Sequence, residues 1–176
     1  MPNETLNSIL ALDVGTDKSG YCWIDVKTYK PCGVGKIDNA QIFDCIHQTS
    51  KHDVVVFERF APYNSTGIEL ITALVWYGNF VRECETLEIP YAEIFRRDVK
   101  RHLLGRMKKE NGSPDTQVRH ALANRFAPGE KNFGKGTKNN PGWFYGFSGT
   151  DMIAAYAVGV TYIDSLKGIK DAKRKD

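Results

Sequence analysis

Apolar residues run unbroken through Ile9–Leu12 and Val54–Phe57. Runs this short, without helical spacing, predict strands buried on both faces. Between them, 20–27 (GYCWIDVK) alternates as a half-buried strand does, and 33–38 (GVGKID), after the turn-forming KPCG, predicts another. Short turns join strands 7–14, 20–27 and 33–38, so the chain should open with an antiparallel meander. A helix over 39–50, begun by Asn39, and a strand at 53–58 are expected next. Ile68, Ile71, Leu74, Val75, Trp76, Phe80, Val81 and Leu87 predict a long helix from Ser65 or Thr66 to about Glu88, with Ser65 as its cap. Its apolar positions cover more than one stripe, which requires burial on two sides, in the centre of the fold or against a second subunit.

Beyond it the pattern gives a strand at 89–95, a basic helix at 96–104 and a helix at 113–126 with Ser113 as cap and Pro114 in the first position. The Gly- and Pro-containing stretch 127–147 predicts a loop, and an Ala-rich helix starts near Ser148. The order β-β-β-α-β-α-β-α is an α/β pattern, a mixed sheet flanked by helices. A chain of 176 residues suits a single domain over 1–168 with a charged, disordered tail at 169–176.

Composition removes several classes. No apolar run approaches the ~20 residues of a membrane helix, and MPNETLNS lacks a basic segment leading into an apolar one, so an intracellular protein with no membrane association is expected. Cys22, Cys32, Cys45 and Cys84 are scattered without metal-ligand spacing and predict free thiols. The net charge of +3 conceals a division: Arg96 to Lys138 holds 12 Lys or Arg against four acids, +8, which leaves −5 for the rest. Concentrated basicity marks a face for a polyanion, unless it is only a solvated helix surface.

Three acids stand where apolar elements end or begin: Asp13 after ILAL, Glu58 after DVVVF and Asp151 before MIAAYAVGV. Each has a plain structural reading, Asp13 as a turn former and Asp151 with Ser148 as a capping box. Converging, they would repel one another unless divalent cations, Mg2+ or Mn2+, shared the site.

The run ALDVGTDKSGYCWID, the strand-terminal VVVFE and the helical GTDMIAAYAVG resemble, in order and spacing, the RuvC-type Holliday junction resolvases, most closely their phage-encoded branch. The resemblance covers about Ile9 to Val160. It implies the ribonuclease H-like fold, with a five-stranded mixed sheet, and a homodimer that cuts four-way junctions and other branched DNA with two Mg2+ or Mn2+ ions per site. It also implies the cytoplasm of a bacterial or phage-infected cell. By the same resemblance Asp13, Glu58 and Asp151 are metal ligands, and Gly15 and Gly20 are the glycines around the first turn. Lys100 is the nearby catalytic lysine. Two departures stand out: Ser148 replaces an acid or histidine, and Asp115 stands where a lysine is often found.

DNA contacts are expected from Arg96, Arg97, Arg101, Arg106, Lys108 and Lys109, from Lys131, Lys135 and Lys138 on the loop, and from Phe60 and Tyr63 as a wedge. Phe133, Trp143, Phe144, Tyr145 and Phe147 either stack on unpaired bases or pack on the core. Two rival functions are an actin- or sugar-kinase-like ATP-binding turn at DVGTDKS and a junction-binding protein with weak or no nuclease activity. Less selective branched-DNA cutting, or action on structured RNA, stays open within the nuclease reading.

Overall fold

The computed structural model describes residues 6–50, 52–59, 67–105 and 112–169. In chain order the elements are β1 (Ser8–Asp13), β2 (Lys18–Asp25), β3 (Pro31–Asp38), α1 (Asn39–His47), β4 (Val54–Arg59), α2 (Ile68–Thr86), β5 (Tyr91–Phe95), α3 (Arg96–Leu104), α4 (Pro114–Phe126) and α5 (Thr150–Leu166). The sheet has the order β3-β2-β1-β4-β5. The first three strands form the antiparallel meander, whereas β4 joins β1 and β5 joins β4 in parallel. The two parallel pairings need crossovers, which α1 and α2 supply.

Strand alternation sorts the core into two halves. Ile9, Ala11, Val54 and Val56 face α5, while Leu10, Leu12, Val55 and Phe57 face the side of α1 and α2. This explains the unbroken apolar runs of β1 and β4, since both faces of these strands are covered. Helix α5 lies across β1, β2 and β4, with α3 and α4 against it, and is buried around nearly its whole circumference. It comes so close to the sheet that a Cβ on Gly159 would collide with the side chains of Ile24 and Ile9.

Three local expectations are corrected. Helix α1 has Asp38, not Asn39, in the cap position, with Gln41 accepting from the Asp38 N–H at 3.3 Å. Asn39 is instead buried and holds the β1–β2 turn, donating from Nδ2 to the carbonyls of Gly15 at 3.0 Å and Thr16 at 3.1 Å. Helix α2 starts after Gly67, which has no side chain to cap it, and Ser65 and Thr66 lie outside the described residues. The doubly covered helix is α5 rather than α2: α2 buries Ala73, Phe80 and Cys84 but leaves Ile68, Ile71, Leu74 and Val75 exposed. The other elements follow the expected pattern, including the Ser113 cap, whose Oγ accepts from the Thr116 N–H. The four cysteines are free thiols. No helix among the described residues is long and apolar enough to cross a membrane. Residues 170–176, most of the expected tail, lie outside the described residues.

The C-terminal half of α5 is locked by a buried charge. Asp164 is fully buried and accepts hydrogen bonds from Arg125 NH1 at 2.6 Å and NH2 at 2.8 Å and from the Tyr29 hydroxyl at 2.8 Å, with His102 Nε2 at 2.7 Å. These contacts tie α5 to α3, to α4 and to the β2–β3 turn. Burial pushes the Asp164 carboxyl up, but the bonds from Arg125, His102 and Tyr29 outweigh it and hold the carboxyl below its ordinary value. A lowered acid stabilises the fold above its unfolded-state value, and that contribution disappears as pH falls through the folded-state value. Asp164→Ala should cost about 3–5 kcal/mol at pH 7, because Arg125 is left facing an apolar site without its partner. Urea denaturation reads this directly, and the gap to the parent should narrow in acid below the ordinary carboxylate range.

Candidate active site

One transverse row of the sheet brings the candidate residues together. Lys36 on β3 pairs with Gly20 on β2, and Gly20 pairs with Asp13 on β1. The β1–β4 register pairs Leu12 with Phe57, and its next step sets Asp13 beside Glu58. Strand parity turns both acids toward α5, whose N-terminus brings Asp151 over them. Asp13, Glu58 and Asp151 line one cavity of about 380 Å3, together with Arg96, Lys100, Asp115, Arg119, Phe133, Lys135 and Ser148.

Gly20 makes this approach possible. A Cβ there would stand 2.5 Å from the Asp151 carbonyl oxygen, closer than any side chain tolerates, so only glycine lets the start of α5 reach the row. Gly15 is equally confined, against the Lys18 carbonyl. The capping-box reading of Asp151 fails: Gly149 is the cap residue, no side-chain cap bond forms, and the Ser148 hydroxyl lies 4.0 Å from Met152 Sδ. Asp151 is thereby left for the cavity, where it forms an ion pair with Lys36.

The electrostatics are those of acids forced together out of water. Burial raises Asp13 well above the usual carboxylate range, and Glu58 beside it raises it further. Asp151 adds to the repulsion. Burial raises Glu58 too, against the opposing pull of Arg96 and Lys100. Glu58 Oε2 is buried with no hydrogen-bond partner, 3.5 Å from the Arg96 guanidinium.

That orphaned oxygen and the all-carboxylate donor set fit a hard divalent cation. As the side chains stand, protein cations partly fill that role, with Arg96 at Glu58 and Lys36 at Asp151. Among the described residues no three His, Cys, Asp or Glu side chains are gathered closely enough to cage an ion.

The basic residues divide into two sets. Arg96 NH2 donates to both Asp115 oxygens, at 3.2 and 3.3 Å, and Lys100 Nζ lies 3.1 Å from Asp115 Oδ1. Burial pushes Asp115 up, but these cations hold it below its ordinary value. The acid in place of the expected lysine is thus a tether for two cations. Arg97 and Arg101 lie on the exposed side of α3, both paired with Asp98, and Lys131 and Lys138 are exposed on the loop, while Lys135 reaches the cavity. Phe60, Tyr63, Arg106, Lys108 and Lys109 lie outside the described residues.

The aromatic cluster of the loop belongs mainly to the core. Phe144 and Phe147 are buried around Tyr156, and Trp143 stacks on Phe126 and donates from Nε1 to the Tyr156 hydroxyl at 3.0 Å. Tyr145 is the exposed member of the 143–147 group. Sequence reading missed Lys36, which pairs with Asp151, and Arg119, which lines the cavity. The register of the meander, which aligns Lys36 with Gly20, is the signal that would have found the first.

The order of strands and the placing of α5 make this a ribonuclease H-like fold. Similar solved structures include RuvC from Thermus thermophilus, with a TM-score of 0.64 and 14% identity over 93% of this chain and 98% of that one. T. thermophilus RuvC in complex with Holliday junction substrate gives 0.59 and 15% over 94% and 98%. The yeast mitochondrial Holliday junction resolvase Ydc2 gives 0.55 and 12% over 94% and 81%. No family model and no curated protein sequence matches the chain.

A raised acid has a definite sign. Asp13 costs stability wherever it is ionised, so its penalty is absent below its ordinary value and fully present above its raised one. In metal-free buffer Asp13→Asn should therefore raise the Tm by a few degrees at pH 8 and leave it nearly unchanged in acid, measured by thermal melts in EDTA.

Proposed function

We propose that the protein is a metal-dependent endonuclease that resolves Holliday junctions and related branched DNA. The observation that carries this reading is the pairing of Asp13 with Glu58 at the ends of adjacent parallel strands, under Asp151, in a cavity walled by cations. The fold shared with structures of junction resolvases supports it, as do the motifs that resemble the phage-encoded branch.

Asp13, Glu58 and Asp151 would hold two Mg2+ or Mn2+ ions. When bound, such a pair supplies activation of the attacking water and stabilisation of the leaving 3′ oxygen. The chain's own part is to bind and orient. Asp13 and Glu58 would hold the ions as carboxylates, with Glu58 exchanging Arg96 for the ion, so metal binding would compete with protons at the site. Lys100, held by Asp115 at the cavity wall, faces the charge that develops on the phosphorus. Arg97, Arg101, Lys131, Lys135 and Lys138 would contact phosphates, which give affinity and salt dependence without sequence preference.

The ATP-binding alternative is disfavoured by the turn itself. The Gly15 N–H, a donor that a phosphate loop would offer its ligand, is given to Ser19 Oγ at 3.2 Å, and Ser19 in turn donates to Asn39 Oδ1 at 2.6 Å. Buried Asn39 completes the network by donating to the carbonyls of Gly15 and Thr16, so the first amide of the turn is already committed within the fold.

A symmetric junction calls for two active sites, and α2 offers a seam. Ile68, Ile71 and Val75 follow helical spacing on one exposed apolar stripe, which a second copy of the chain would cover. The protein should run as a dimer in light scattering, and the Ile71→Glu/Val75→Glu variant as a monomer.

A synthetic mobile four-way junction tests the activity. With Mg2+ or Mn2+ it should receive paired, symmetry-related nicks, and Asp13→Asn should bind it without cutting. Binding without nicks by the parent protein would instead establish a junction-binding protein, with Ser148 the first position to restore as an acid. Cutting by Asp13→Asn would refute the site.

A further inference from the structure

Arg119 is a cavity cation that no carboxylate among the described residues pairs. It lies on α4 one helical turn beyond Asp115, so both side chains project from the same face into the cavity that holds Asp13, Glu58 and Asp151. Its situation differs from that of its neighbours. Arg96 and Lys100 are bound to Asp115, and Lys36 to Asp151, whereas no carboxylate pairs with Arg119 among the described residues. Its Nε is buried and has no hydrogen-bond partner.

What holds Arg119 is an aromatic ring. The guanidinium lies over Phe133 with its carbon 4.1 Å from the ring centroid, and His120 meets the same ring edge-on at 5.0 Å. Stacking covers one face of the guanidinium plane and leaves the donors around its edge unspent. The ring is put there at a cost: Asn132 and Phe133 have φ of 51° and 55°, a left-handed conformation that non-glycine residues rarely adopt. Strain of this kind persists where the surroundings enforce it, and it gathers at ligand sites. A planar, fixed fork that none of the cavity's four carboxylates pairs matches a phosphate.

From these observations we infer that Arg119, backed by Phe133, contacts the phosphate of the strand being cut. It takes over on α4 the charge that Asp115 removes one turn earlier. The inference rests on the nuclease reading above and adds a substrate contact to it. A purely structural Arg119, clamping the loop to α4 through Phe133, is the competing account.

Two measurements on the full chain separate them. In the Asp13→Asn background, junction affinity is followed by fluorescence anisotropy across a KCl series in Ca2+. Adding Arg119→Ala should lower the slope of log affinity against log salt by about 0.9, one phosphate contact. In the parent background, single-turnover cutting at saturating protein should fall roughly 100-fold or more in Arg119→Ala, with partial recovery in Arg119→Lys. Thermal melts identify any variant that fails to fold, and Phe133→Leu, which frees the guanidinium without removing it, should show a smaller loss of cutting at an unchanged salt slope. An unchanged slope and rate in folded Arg119→Ala would overturn the inference while leaving junction cutting intact. A parent protein that cuts no branched DNA would overturn the nuclease reading instead, and the salt slope of binding would still decide whether Arg119 meets a phosphate.

Discussion

Everything in the site depends on two carboxyls being held side by side out of water. Asp13 and Glu58 are neighbours because β1 and β4 are parallel and in register, and they are buried because α5 covers that face of the sheet. In isolation the arrangement is unfavourable, since burial and mutual repulsion both oppose ionisation. The surrounding structure answers this with positive charge from two elements: Lys36 from the sheet, and Arg96 and Lys100 from α3. A cavity so composed has opposed charges with little slack, the condition in which a divalent cation or a phosphate finds partners ready.

The two departures from the resembled motifs acquire physical meaning in this setting. Asp115 gathers Arg96 and Lys100 at one wall, so a negative charge organises the cations rather than merely subtracting from them. Ser148 neither caps α5 nor offers a carboxylate, which leaves Asp151 as the acid that α5 contributes to the cavity.

Much of the fold was legible because it rests on local periodicity. The apolar runs of β1 and β4, the alternation of β2 and the Pro114 start of α4 each express a single element's needs, and the three acids could be picked out by their positions at element ends. The misreadings share a different cause. Asn39 looked like a helix cap because its side chain suits one, yet the β1–β2 turn claims it from across the fold. Ser148 and Asp151 had capping-box spacing, but the backbone at Gly149 starts the helix one residue later. The apolar faces of α2 and α5 look alike in sequence, and only the packing of α3 and α4 decides which one is enclosed. Lys36 and Arg119 carry no local signature, since their role arises from register and from a ring brought in by a distant loop.

Helix α5 can be viewed as a lever with its working tip at Asp151 and its anchor at Asp164, about 20 Å apart at helical rise. The tip rests on a bare glycine and one partly exposed ion pair with Lys36, whereas the anchor is clamped by Arg125, Tyr29 and His102. Alignment of the acids is therefore governed from the far end of the helix. Loosening that distant clamp would displace Asp151 without altering a single residue of the cavity.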